Sequence, residues 1–83
     1  MIDPKEYDLH PKTVLEDLGR KHFAIVIDRK SRIIMADGKK IEDKVGVLLN
    51  KGIKKVSVKT NAPVCSKTIK YLEDLKIKFL PLD

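Results

Sequence analysis

The chain has no Trp and no Gln, a single Cys, and only two each of Phe and Tyr among its 83 residues. One cysteine excludes an intramolecular disulfide, so a secreted, cross-linked scaffold is not expected and a reducing cytoplasm is. The scarcity of aromatic rings removes the usual means of stacking on nucleic-acid bases. Long apolar runs are also missing: the longest, FAIVI and IIMA, fall far short of the roughly 20 residues that a membrane span requires. The acidic N-terminus has no signal-peptide pattern, so neither export nor membrane insertion is expected. With two Asn and many Lys and Ile, the composition fits a thermophile that relies on charge networks. At this length one domain is expected, residues 1–83, with residues 1–11 irregular and a thin core.

What is abundant is charge, and it is placed unevenly. Residues 1–37 carry seven basic and seven acidic side chains, whereas residues 38–83 carry eleven Lys against five carboxylates, which accounts for the whole net charge of +6. A basic half of this kind suits an anionic partner, and a Lys-rich nucleic-acid-binding module is one reading of it. The excess is all Lys, however, with no Arg beyond Arg32, and base readout draws mainly on Arg and aromatics. A solvated face explains the same pattern.

The periodicity predicts seven elements. A helix over Pro11–Lys21 has Pro at its first turn, an apolar stripe of Val14, Leu15 and Leu18, and Gly19 near its end. Two apolar runs follow, Phe23–Ile27 and Ile33–Ala36; their polar spacer DRKS predicts an antiparallel hairpin. Ile41, Val45, Leu48 and Leu49 recur at helical spacing over Lys40–Lys51, with Gly52 as a stop. The strand KKVSVK alternates Val56 and Val58 with Ser57 and Lys59, so one of its faces should be buried. A helix over Pro63–Leu75 and a last strand, IKFL, complete the chain. The predicted fold class is α+β or α/β in two layers: an N-terminal helix, a β-hairpin and two αβ units forming a mixed four-stranded sheet, in the order α-β-β-α-β-α-β.

Strands joined through helices run parallel with right-handed crossovers. The second, third and fourth predicted strands should therefore end on one edge, where MADGKK (Met35–Lys40), KTNAPV (Lys59–Val64) and the tail Pro81–Asp83 converge. Open sheets of this kind hold ligands at such an edge. The segment VSVKTNAPVCSK, a strand running into a helix start, lies at the centre of it. Asn61 is placed to cap that helix, and Asn61, Ser66 and Thr68 could bind an anion, with Lys39, Lys59 or Lys67 supplying charge. Plain helix capping accounts for the same residues. Cys65 near the helix start could be a reactive thiol; its place on the stripe with Ile69 and Leu72 points instead to a buried structural cysteine. Asp37, with Glu42 and Asp43, offers oxygen ligands for a hard cation such as calcium. A structural reading of the same residues has Asp37 and Gly38 ending a strand, and Glu42 and Asp43 favouring the first turn of a helix through its dipole. His10 and His22 lack a third ligand nearby, and no P-loop, G-x-G-x-x-G, H-E-x-x-H or paired-cysteine motif is present, so no familiar enzyme class finds a foothold.

Taken together, FAIVID, RIIMADG and VSVKTNAPVCS give a chain that resembles a small uncharacterised family of α+β proteins from methanogenic archaea, and the resemblance extends over its whole length. It implies a sheet packed with helices, a connection with methanogen physiology, and a calcium or other cation pocket between the loops after the second and third strands. At the matching positions here the pocket would use Asp37, with Asn61 and Ser66. The leading expectation is thus a non-enzymatic ligand-binding or accessory domain, with calcium as a possible ligand, nucleic acid as the alternative partner, and a homo-oligomer through an uncovered sheet face as a third possibility.

Overall fold

A computed structural model describes residues 2–82. Strands β1 (Val14–Asp17), β2 (His22–Ile27), β3 (Lys55–Thr60) and β4 (Lys78–Pro81) form one sheet in that spatial order. The β1–β2 pair is antiparallel, and β2, β3 and β4 are mutually parallel. Helix α1 (Met35–Asn50) connects β2 to β3, and α2 (Ser66–Asp74) connects β3 to β4. Two right-handed crossovers stepping in the same direction put both helices on one side of the sheet. A short 3-10 turn, Pro4–Tyr7, precedes β1: Asp3 caps it and Asp8 closes it in a left-handed conformation. Tyr7 meets Phe23 edge to face, with ring centroids 5.4 Å apart.

The mixed four-stranded sheet and the two αβ units agree with the sequence, but the predicted element order does not. Residues Pro11–Lys21 form no N-terminal helix; they supply β1 and the turn into β2, so the order is β-β-α-β-α-β. Short apolar runs do not distinguish helix from strand by spacing alone, and the edge position beside β2 decides for strand. Thr13 and Leu15 are buried while Val14 is 51 % exposed, an alternation that serves a half-covered edge strand. The predicted hairpin moves with it. Ile33–Ala36 does not pair with β2: Ile33 makes one isolated parallel bridge to Val64, and Met35 opens α1. DRKS is therefore part of a strand-to-helix loop, and α1 begins at Met35 where the sequence predicted a start at Lys40.

The core lies between the helices and one sheet face. Phe23, Ile25, Val56 and Val58 alternate onto that face by the strand register, where they join Ile41, Val45, Leu48 and Leu72 in one buried cluster. The opposite face carries Val14, Glu16, His22, Ala24, Val26, Ser57 and Lys59, and no helix among the described residues covers it. It is knit by polar contacts: Lys59 Nζ donates to Glu16 at 3.1 Å, and His22 Nε2 lies 2.8 Å from Ser57 Oγ. Burial, and then the positive charge of Lys55, hold the His22 pKa below its ordinary value. No described helix is long and apolar enough to cross a membrane.

Candidate functional sites at the two ends of the sheet

At the C-terminal edge of the parallel strands, the segments before the two helices are bound to each other. Ile33 N–H donates to the Pro63 carbonyl at 2.8 Å, and Cys65 N–H donates to the Ile33 carbonyl at 2.9 Å. The N-termini of α1 and α2 are thereby locked side by side. Sequence reasoning placed Asp37 and Asn61 at this edge, and both are there. They do not touch each other; Arg29 stands between them. Its guanidinium donates to Asp37 Oδ2 at 2.7 Å and to the Arg32 carbonyl at 3.1 Å, while its backbone N–H donates to Asn61 Oδ1 at 3.1 Å. Asn61 Nδ2 in turn donates to Asp28 Oδ1 at 2.7 Å. Asn61 therefore ties two loops together and does not cap α2, whose N-cap is Cys65. Ser66 is the exposed first residue of α2.

Asp37 lies in the first turn of α1 and not in a loop. Besides Arg29, its Oδ2 accepts the Ile34 N–H at 3.0 Å. This satisfies one of the free donors of a helix start, which Ile34 itself cannot do. The Arg29 hydrogen bond first, and the Ile34 N–H second, hold the Asp37 pKa below the usual carboxylate range; burial opposes them and the charges of Arg29 and Lys40 assist. A depressed folded-state pKa contributes stability that is present above the unfolded value, about pH 4, and is lost as pH falls through the lower folded value. Asp37→Ala should cost about 1–2 kcal/mol at neutral pH, the usual scale for a lost cap. The gap between the variant and the parent should narrow in urea melts run below about pH 4. An undiminished gap at low pH would show that the carboxylate charge does not hold this corner.

Among the described residues no three His, Cys, Asp or Glu side chains are grouped to hold a metal ion. Glu42 faces the partner helix, accepting from the Tyr71 hydroxyl at 2.6 Å; that bond, first among the causes, raises the Tyr71 pKa.

The other end of the sheet carries a feature that the sequence reading missed. The β1–β2 connection, residues 18–21, closes in a β-turn, with His22 N–H donating to the Gly19 carbonyl at 3.0 Å. Its central residues, Arg20 and Lys21, have φ of 53° and 60°. Such turns favour Asn-Gly, because a Cβ in the left-handed region costs roughly 1–2 kcal/mol. Lys54 N–H and Lys55 N–H both donate to the Lys21 carbonyl, at 2.9 and 3.3 Å, pinning the turn beside the start of β3. Arg20, Lys21, Lys54, Lys55 and Lys76 are all exposed at this end. The ion pairs among the described residues are Arg29–Asp37, Lys51–Asp8 and Lys59–Glu16, so none of these five cations has a carboxylate partner there. Between Lys54, Lys55 and Lys76 opens an apolar groove of about 350 Å³ floored by Val56 and Ile77. The clue in the sequence was Gly-Arg-Lys between two short apolar runs, which reads as a hairpin tip once Pro11–Lys21 is not taken as a helix.

Comparison with protein-family models, curated proteins and solved structures gives no match.

Proposed function

We propose that this is a non-enzymatic domain that binds the phosphate backbone of nucleic acid through the basic end of its sheet. The observation that carries the reading is the Arg20–Lys21 turn, where two cations occupy left-handed positions that Asn and Gly would fill at lower cost. Strained backbone concentrates at functional positions, and here it projects charge beside Lys54, Lys55 and Lys76. Part of that charge has a structural use, since Lys76 follows the C-terminal end of α2 and complements its dipole. The hairpin tip has no such explanation. The aromatic rings are engaged elsewhere: Tyr7 packs on Phe23, Phe79 packs against the core, and Tyr71 bonds Glu42. Contact with phosphates, not base stacking, is therefore the mode the surface supports.

If each of the five cations neutralises one phosphate, the logarithm of the affinity for duplex DNA should fall with the logarithm of salt at a slope of about −4 to −5. Fluorescence anisotropy of a mixed-sequence duplex, titrated at several salt concentrations, measures that slope. Absence of binding at low salt, or a slope near zero, would sink the proposal.

The cation pocket suggested by the family resemblance has less in its favour. Asp37 Oδ2 already accepts from both Arg29 and the Ile34 N–H, and two helix N-termini present positive potential to the same space.

A further inference from the structure

Both helices finish at the basic end of the sheet, and they finish in the same way. Ile53 N–H donates to the Leu48 carbonyl and Ile77 N–H to the Leu72 carbonyl; the residues before them, Gly52 and Lys76, are left-handed, with φ of 99° and 65°. Glycine is the usual residue at such a stop, because a Cβ there is strained. Helix α1 has its cation one position earlier, Lys51 at the C-cap, and keeps glycine at the stop. In α2 the cation itself holds the strained position, and Lys76 there lines the apolar groove with Lys54 and Lys55. Leu49 and Leu75 line the same groove and are 47 % and 43 % exposed. Only four large apolar side chains among the described residues are so exposed. Scattered singly they would need no explanation, whereas two that converge on one groove mark a place for a ligand.

We propose that this groove binds a free medium-chain fatty acid, its aliphatic tail on Val56, Ile77 and the two leucines and its carboxylate at Lys54, Lys55 and Lys76. Charge complementarity selects the head: three cations and no carboxylate line the groove, so an anion gains attraction there and a cation meets repulsion. Volume selects a small molecule, since about 350 Å³ lies at the low end of the roughly 300–1,000 Å³ usual for small-ligand sites. The backbone selects against a peptide. The N–H groups of Lys54, Lys55, Leu75, Lys76 and Ile77 all donate within the chain, so these residues offer none of the main-chain donors through which extended segments bind. An alkyl chain needs none. The phosphate backbone of a duplex would use the lysines and leave the apolar floor without a role, so the fatty-acid site goes beyond the nucleic-acid reading and does not rest on it.

The test is a titration of the isotope-labelled protein with decanoate, below the concentration at which it forms micelles, followed by amide NMR shifts. Saturable shifts should centre on Leu49, Leu75, Lys76 and Ile77, with a sub-millimolar Kd. Acetate, which has the head without the tail, should give no saturable shift there. Decyltrimethylammonium, which has the tail with a cationic head, should bind several-fold more weakly than decanoate. Lys76→Gly removes one cation and places glycine where φ is already positive, so it should melt no lower than the parent while binding decanoate several-fold more weakly. Absence of saturable shifts at millimolar decanoate, shifts centred elsewhere, equal binding of the cationic amphiphile, or unchanged affinity in Lys76→Gly would overturn the proposal. So would cosedimentation with phosphatidylglycerol vesicles without a response to decanoate, which would assign the patch to a membrane surface.

Discussion

The double variant Arg20→Asn, Lys21→Gly should be more stable than the parent and bind nucleic acid less well. In the parent both residues hold positive φ, at 53° and 60°, where a Cβ costs roughly 1–2 kcal/mol per residue. Glycine at position 21 removes that penalty, less about 0.5–1 kcal/mol for the freedom it gives the unfolded chain. Asn tolerates the left-handed region and recovers part of the cost at position 20. A net gain of about 1 kcal/mol should raise the melting temperature by about 4–8 °C in a domain of this size. Two lost phosphate contacts should make the salt slope less negative by about 1.8 and weaken duplex binding roughly fiftyfold near 0.1 M salt. Opposite signs for stability and affinity make the result hard to mistake for unfolding. If the variant melts lower, the turn is not strained; if binding is unchanged, the hairpin tip is not part of the contact.

The second large effect lies in the seam between the helices. A Cβ at Gly38 would sit 3.0 Å from Thr68 Cγ2 and 3.9 Å from Tyr71 Cδ2. Thr68 is β-branched, helical and fully buried, so its methyl has little room to turn aside. Gly38→Val adds two further methyls at this point and should cost about 2–3 kcal/mol through overpacking. Gly46 lies in the same helix, and a Cβ there would meet nothing within 4 Å. Gly46→Ala should therefore stabilise by about 0.8–1 kcal/mol, from helix propensity alone. Denaturant melts of the two variants separate packing from propensity within one helix. Midpoint shifts of opposite sign at constant slope would fit, whereas a Gly38→Val protein as stable as the parent would mean that the helices do not approach so closely. This contact holds the two helix starts together.

How much of this was legible from residues alone varies along the chain. Helices around Lys40–Lys51 and Pro63–Leu75 were readable because each presents several apolar residues at helical spacing, enough to outweigh local ambiguity. The parallel pairing of β3 with β4 followed from the rule for crossovers; that of β2 with β3 did not, because Phe23–Ile27 read as the antiparallel partner of Ile33–Ala36. Asp37 and Asn61 were correctly assigned to one edge, while the mediator between them, Arg29, was passed over because it lay in what read as a hairpin turn. The tail was expected at the same edge: Leu82 N–H donates to the Thr60 carbonyl at 3.2 Å, and Asp83, with Met1, lies outside the described residues. Cys65 was misjudged because its spacing to Ile69 and Leu72 fits a helical stripe, although the helix begins one residue later and leaves the thiol at the cap.

The sequence by itself determined a mixed four-stranded sheet with two αβ units, the parallel pairing of β3 with β4, the edge at which the helices begin and the half that carries the excess charge. These depend on periodicity and on chain connectivity, which are local or nearly so. Only the tertiary structure decided whether Val14–Asp17 is helix or strand, which partner each Asp37 oxygen takes, that Thr68 is buried without a partner among the described residues and that Arg20 and Lys21 occupy a left-handed turn. Each of those depends on contacts between residues far apart in the chain, such as Val14 with Val26, Ile33 with Val64 and Lys21 with Lys54. Their energies exceed the weak local preferences of four-residue segments, and no local pattern encodes them.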